Sequence, residues 1–327
     1  MLQAYVVQGG SLKPVSGDLA SLSGVYWIDI CEPTPDEQKA VEQAIGIRLR
    51  LPEEPAKFQI STPVRSSEGA ITLTALLLAG FDLRRPQLLT VQFIRAKGPL
   101  VTVTKGTSGG LAWLAQQCDD CVPAGSSDAF LVLLDLIIEC ATDLLDHVGD
   151  DLERINRALF QHHATAKRRL RIEASPRRRT HQLDLILTEL GYSREVLVKL
   201  RRSVLSFRRV IILLQERDAE SALAVKLKSF EHELKALAEA EEDLSATNAF
   251  MLDGAVGYIG ILQSRVINIL TILGVLLTPP VLVASVYGMN FKHMPELDWT
   301  WGYAWALGLM VVSAIVMYVI VRMRGWL

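Results

Sequence analysis

The stretch that decides the fold is VINILTILGVLLTPPVLVASVYGMN, residues 266–290. No charged side chain occurs from Val266 to Tyr287, a run of 22 residues. An α-helix needs about 20 apolar residues to cross the hydrocarbon core of a bilayer. The run ends at Gly288-Met289-Asn290 and a short polar loop, and a second apolar run covers residues 303–321. The pattern predicts a membrane hairpin whose first helix carries the function.

Roughly 265 residues precede the first run, enough for a cytosolic part with its own core. The formal net charge is −2 and the pI about 6.3, a balance that does not suggest nucleic-acid binding. The opening MLQAYVVQGG has neither a basic n-region nor an apolar h-region, so no signal peptide is expected. The four cysteines, Cys31, Cys118, Cys121 and Cys140, are too scattered for a disulfide framework. Cys118 and Cys121 have CxxC spacing, but no second pair completes a zinc site.

The first 125 residues read as mixed α/β. Residues 24–30 form a strand-like run, and Thr34-Pro35-Asp36-Glu37 reads as a helix start with Thr34 as N-cap. Further β-like runs are 70–79, 88–94 and 100–104. No phosphate loop, dinucleotide fingerprint, nucleophile elbow or nucleophile–base pair is present, so an enzyme is not expected.

Residues 128–160 carry one broad apolar face at helical spacing, from Phe130 through Leu159. The segment 167–179 holds seven Lys/Arg against Glu173 alone, and is read as a solvated or ion-paired hairpin. A second helix is expected over 177–215. A third begins near residue 218 and meets no stop signal before the first apolar run, giving one helix over 218–287 of about 100 Å. The expected division is a cytosolic α/β domain (1–125), a helical hairpin and long stalk helix (126–265) and a transmembrane domain (266–327). The last comprises a first span (266–287), an outer loop (288–302), a second span (303–321) and a tail (322–327).

Within the third helix the small and polar residues fall at Asp253, Gly257, Gly260, Ser264, Thr271, Gly274, Thr278 and Ser285. Their steps are 4, 3, 4, 7, 3, 4 and 7, a heptad seam with Ile267 and Val281 in the two skipped places. A soluble coiled coil would make that seam apolar; here it is small or hydrophilic, and Leu, Ile and Val occupy the other faces. Two readings fit: close helix packing through small residues, or a ring of identical helices whose seams border a water-filled path. Asp253 and Asn290, roughly 55 Å apart along a helix, favour the path. They would place a carboxylate ring at the inner end and an amide ring at the outer end. Ile267, Leu270 and Val281 are candidates for apolar constrictions that gate by dewetting. Arg265, Arg322 and Arg324 flank the spans and put both termini in the cytoplasm. Trp299, Trp301, Tyr303 and Trp305 suit the outer interface, and Trp326 the inner one.

Tyr287-Gly288-Met289-Asn290-Phe291, then Met294-Pro295-Glu296-Leu297, a second span and a terminal Trp326-Leu327 resemble the C-terminal signature of the CorA family of magnesium channels. The resemblance is carried by residues 250–327. It implies an α+β chain with an N-terminal cytosolic α/β domain, long stalk helices and two C-terminal transmembrane helices, assembled as a funnel-shaped homopentamer. It implies residence in the bacterial cytoplasmic (inner) membrane, surrounded by lipid, and passive uptake of Mg2+, with Co2+ and Ni2+ also carried. No cofactor is implied; Mg2+ is both the transported ion and a regulatory ligand. Gly288, Met289 and Asn290 match the filter motif, and Asp253 an inner-mouth carboxylate. Mg2+ gives up its waters reluctantly, so five Asn290 amide oxygens suit a hydrated ion without trapping it by charge. The resemblance also implies gating by intracellular divalent ions held between protomers. Candidates are Asp82, Glu231 and Glu233, each also readable as a solvated acid. Lys292 departs from the family pattern in the outer loop, where Glu296 is retained, and so does the basic 167–179 segment. Two other functions are weighed: a ZntB-like Zn2+ transporter, and a membrane-anchored scaffold whose seam serves packing alone.

Overall fold

The computed structural model describes residues 2–8, 11–15, 25–49, 51, 63–67, 69–79, 86–96, 98–105, 111, 126–166, 176–217, 222–289 and 299–325. The chain divides into two compact units, Met1–Leu252 and Asp253–Leu327.

The first unit is built on seven strands: β1 (Leu2–Gln8), β2 (Ser11–Val15), β3 (Val25–Cys31), β4 (Val64–Ser67), β5 (Ala70–Ala79), β6 (Gln87–Arg95) and β7 (Leu100–Lys105). Their order in the sheet is β2-β1-β3-β7-β6-β5-β4. Among the described strands only β3 and β7 pair in parallel, with Trp27 opposite Leu100 and Asp29 opposite Thr102; the other pairs are antiparallel. The runs expected at 70–79, 88–94 and 100–104 are thus β5, β6 and β7. The β1–β2 hairpin and β4 were not expected.

Helix α1 (Pro35–Ile45) starts as its sequence dictates. Thr34 Oγ1 accepts from the Glu37 amide at 3.3 Å, and the Glu37 carboxylate accepts from the Thr34 amide at 2.9 Å, closing a capping box around Pro35. It ends at Gly46, whose φ of +69° is the left-handed conformation that stops a helix at little cost. Val41 of α1 is buried with Ile28, Ile30, Ile94, Val101 and Val103.

Adjacent strand residues point to opposite faces, so Phe93 lies on the other side of the sheet from Ile94. There it meets Phe130 of α2 (Ser126–Ala166) edge-on at 5.5 Å and Phe207 of α3 (Pro176–Arg217) at 6.1 Å. The sheet is therefore a middle layer, with α1 on one face and α2 and α3 on the other. Helix α3 opens at Pro176, at the first helical position where a missing N–H costs nothing.

Helix α3 also seals an edge. Strand β4 covers only the first part of β5, and Thr74 beyond it donates to the Pro63 carbonyl at 2.7 Å. Further along, the Leu76 amide donates to Ser206 Oγ at 2.9 Å and the Leu78 amide to Ser203 Oγ, while Ser203 Oγ donates to the Leu76 carbonyl. Helix hydroxyls stand in for a missing strand, and these backbone groups of β5 remain paired.

The fourth helix, α4 (Ala222–Tyr287), is 66 residues long, or about 100 Å. It is unbroken where one helix over 218–287 was expected, and residues 218–221 lie outside the described set. Its residues 222–252 pack in the first unit. Buried Glu241 takes Arg201 of α3 at 2.9 Å and the Ser245 hydroxyl at 2.7 Å, and Asn248 donates to the Leu190 carbonyl at 3.0 Å. Leu244 approaches Gly149 of α2, and Phe250 stacks on Phe160 at 6.2 Å. The second unit holds the rest of α4 and α5 (Gly302–Met323).

Candidate functional site

Both helices of the second unit are long and apolar enough to cross a membrane. In α4 neither Pro279 nor Pro280 ends the helix. Proline lacks an N–H, so the two residues remove the amide donors that would bond the Val275 and Leu276 carbonyls. Two of the seam's hydroxyls turn their protons inward. Thr271 Oγ1 donates to the Ile267 carbonyl at 2.8 Å, and Thr278 Oγ1 to the Gly274 carbonyl at 2.7 Å. Each hydroxyl then offers only lone pairs outward. A surface of acceptors suits the outward-pointing hydrogens of a hydrated cation.

Every seam position is exposed: Asp253, Gly257, Gly260, Ser264, Ile267, Leu270, Thr271, Gly274, Thr278, Val281 and Ser285. So are Ile269, Leu273, Leu277 and Leu282 on the other faces. Exposure does not separate seam from flank; side-chain chemistry does. A third face is partly covered, at Ile272, Val275, Leu276, Pro279, Val283 and Tyr287. At 100° per residue it lies roughly 130° around the helix from the seam. In α5 the covered positions are also confined to one stripe, Gly302, Ala306, Met310, Ser313, Ala314, Met317 and Val321.

The end of α4 explains one residue of the motif. The Gly288 amide donates to the Ala284 carbonyl at 2.9 Å, and Met289 to the Val286 carbonyl at 3.2 Å. A β-carbon at position 288 would lie 3.1 Å from the Ala284 oxygen. Glycine thus lets the chain turn tightly off the helix. Asn290, Lys292 and Glu296 lie outside the described residues. Trp299 and Trp305 rings lie 6.2 Å apart, with Trp301 and Tyr303 exposed beside them.

Of the three regulatory candidates, Asp82 lies outside the described residues. Glu231 sits 4.0 Å from Arg208 of α3, and Glu233 accepts from Ser229 at 3.1 Å. Both acids thus have local partners. Among the described residues, no group of three or more His, Cys, Asp or Glu is gathered as a metal site. Cys31 is buried, and burial with nearby Asp143 and Glu139 pushes the Cys140 thiol up to about 11. The motif cysteines Cys118 and Cys121 are outside the described residues.

Sequence reasoning missed one buried group. Asp29 lies on the α2–α3 face of the sheet, 3% exposed. Its carboxylate accepts from Thr102 Oγ1 and from the Leu111 amide, each at 2.7 Å. Thr102 Oγ1 in turn accepts from the Trp27 indole at 2.8 Å. Burial pushes the Asp29 carboxyl up to about 6, against the pull of its hydrogen bonds. A lone aspartate inside an apolar strand, VYWIDIC, was the available signal.

A layered α/β unit, then a long helix with an apolar C-terminal part and a second apolar helix, with Gly288-Met289-Asn290 between them in the sequence, defines a two-span membrane protein. The family described as CorA-like Mg2+ transporter protein matches residues 23–323, and the chain belongs to that family. Among curated relatives, the magnesium transport protein CorA of Haemophilus influenzae is 24% identical over 330 residues, with both chains covered in full. That of Mannheimia succiniciproducens is 26% identical over 337 residues, again with both covered in full. The complete structure of the CorA magnesium transporter from Methanocaldococcus jannaschii superposes with a TM-score of 0.71 at 16% identity, covering 100% of this chain and 99% of that one. The last likeness is one of fold.

Proposed function

We propose that the chain forms a homopentameric channel for passive Mg2+ uptake in the bacterial inner membrane, with both termini cytoplasmic. The observation that carries this reading is the seam of α4. Its threonine hydroxyls donate to the helix's own carbonyls and leave acceptors outward. Around a five-fold axis these acceptors, with Asp253 below and Ser285 above, line a wet path. Ile267, Leu270 and Val281 narrow it, each more than 60% exposed or close to it in the single chain. The flanking Leu and Ile residues face lipid and the second span.

In this assembly Gly288 and Met289 set a ring of Asn290 amides at the outer mouth. The ring takes Mg2+ with its first water shell in place, because Mg2+ exchanges water reluctantly. Co2+ and Ni2+ follow the same path. Uncharged amides hold the hydrated ion weakly enough to release it inward. Intracellular divalent cations close the channel by binding between protomers, a population shift driven by their higher affinity for the closed ring. Glu231 and Glu233 are candidate ligands together with Asp82, and binding there competes with Arg208 for Glu231.

The test is flux. Purified protein in liposomes is expected to take up Mg2+ without an imposed proton gradient, and hexaammine cobalt(III) to block the uptake. Asn290→Ala is expected to remain pentameric in detergent and lose ion selectivity. A dimer, or unchanged selectivity in that variant, refutes the channel. Zn2+ uptake that needs a proton gradient and excludes Mg2+ would assign the chain to zinc. Tight liposomes with no divalent flux would leave it a scaffold.

A further inference from the structure

Helices α2 and α3 of the first unit each turn one face away from the sheet, and the two faces differ in charge. Phe130 of α2 and Phe207 of α3 both meet Phe93 and so point into the core. Opposite Phe130, at 100° per residue, lie Asp128, Val132, Asp135, Glu139 and Asp143, within roughly 40° of one line. Opposite Phe207, within the same roughly 40°, lie Arg194, Val198, Arg202, Leu205 and Arg209. All ten side chains are exposed or half-buried. Asp135, Glu139, Asp143 and Arg194 make no ion pair among the described residues.

The two faces share a register. Phe130 lies near the start of α2 and Phe207 near the end of α3, so their common contact with Phe93 makes the helices antiparallel and marks one height on both. Further along, Gly149 and Leu190 meet α4 one turn apart, at Leu244 and Asn248, as that pairing requires. Counted from the two phenylalanines, Asp128 is level with Arg209, Val132 with Leu205, Asp135 with Arg202, Glu139 with Val198 and Asp143 with Arg194. Three acids stand at the heights of three arginines, and Val132 at the height of Leu205. Glu139 alone meets an apolar side chain, over which its methylenes can lie.

We propose that neighbouring copies of this chain meet through these faces, α2 of one copy against α3 of the next. The proposal rests on the pentameric reading above. A closed ring needs two different, mutually complementary surfaces on each chain, and these faces are such a pair. Rotation about an axis along the helices leaves every residue at its height, so α2 meets the next α3 antiparallel and in this register. Exposed ion pairs are each worth little, but their signs resist slippage. A slip of one turn would set Asp128 against Leu205 and Asp135 against Val198. A second copy fits better than a bound divalent cation, because Val198 and Leu205 are 45% and 44% exposed and an ion would leave them uncovered.

The experiment is cross-linking of the full-length V132C/L205C double variant in detergent with a short bis-maleimide. A ladder of covalent species up to five chains is expected, above the background of V132C and L205C alone. Adding D143R is expected to slow cross-linking about fivefold, the scale of one exposed ion pair, and adding R194D to that variant to restore it. Absence of a ladder above background overturns the interface. A loss that R194D does not restore overturns the register. Cross-linking that needs millimolar Mg2+ shows that the acids hold an ion instead of the arginines, and likewise overturns it. The ring itself is read separately, by native mass spectrometry of the unmodified protein. A wild type that is not pentameric means that the pentameric reading has failed; a pentamer without the ladder means that this interface alone has failed.

Discussion

Replacing Asp29 by asparagine is expected to stabilise the protein at neutral pH and to flatten part of its pH dependence. The carboxyl is buried, with a pKa raised from 3.8 to about 6. Between these values the folded chain holds a proton that the unfolded chain has released, so stability from this group falls as pH rises through the window. Above it the loss levels off at about 3 kcal/mol, at roughly 1.4 kcal/mol per pH unit of displacement. About half of the loss is already present at pH 5, leaving a change of about 1 kcal/mol between pH 5 and pH 7. Asparagine has the shape of the neutral acid. Its Oδ1 accepts from the Leu111 amide while its Nδ2 donates to Thr102 Oγ1, whose proton turns to the Ile28 carbonyl 3.5 Å away. The assay is urea unfolding of the full-length protein in detergent, followed by far-UV circular dichroism from pH 5 to pH 7.5. The difference between wild type and Asp29→Asn cancels the other titrating groups. Parallel profiles, or a variant less stable than wild type at pH 7, would refute the argument.

Ser203→Ala removes a hydroxyl that serves both the Leu78 amide and the Leu76 carbonyl; a cost of about 1–3 kcal/mol is expected in the same assay. Ser206→Ala, which frees one amide, is expected to cost less. Gly288→Ala brings a β-carbon to 3.1 Å from the Ala284 oxygen; reduced Mg2+ flux is expected with an unchanged melting profile of the first unit, read by liposome uptake and circular dichroism. Thr278→Val keeps the shape and removes the outward acceptor; a flux loss of about fivefold is expected, one hydrogen bond's worth, whereas a purely packing seam would leave flux unchanged.

The elements that announced themselves in the sequence are those whose local chemistry agrees with their burial. Strand β5 ends in an unbroken apolar run, Ala75 to Ala79, because side chains on both faces are buried there, and α1 carries its start signal in Thr34, Pro35 and Glu37. The strands that escaped notice are at the edges. Strand β2 contains Pro14, tolerated on an outermost strand because one side needs no amide donor. Strand β4 is Val-Arg-Ser-Ser, exposed at three of its four positions. The Gly9-Gly10 pair between β1 and β2 is a hairpin signal in the sequence. The seam is a pattern of the sequence, a 3.5-residue repeat of small and polar residues in an apolar helix, and the single chain exposes it no more than the faces beside it. The partnering of Ser203 and Ser206 with β5 joins residues more than 120 positions apart, which no local pattern encodes.

The closed rim of the sheet bears on how copies of this chain can meet. Growth by strand addition requires a rim with free amides in a row. One rim ends in a short strand interrupted by Pro14 and flanked by Lys13, and the other in four residues of β4 followed by serines already engaged with β5. Among the described residues neither offers a template. In the proposed pentamer, contacts between copies would therefore fall to helical surfaces, and a rotation of one copy against its neighbour would not require a β-ladder to be broken.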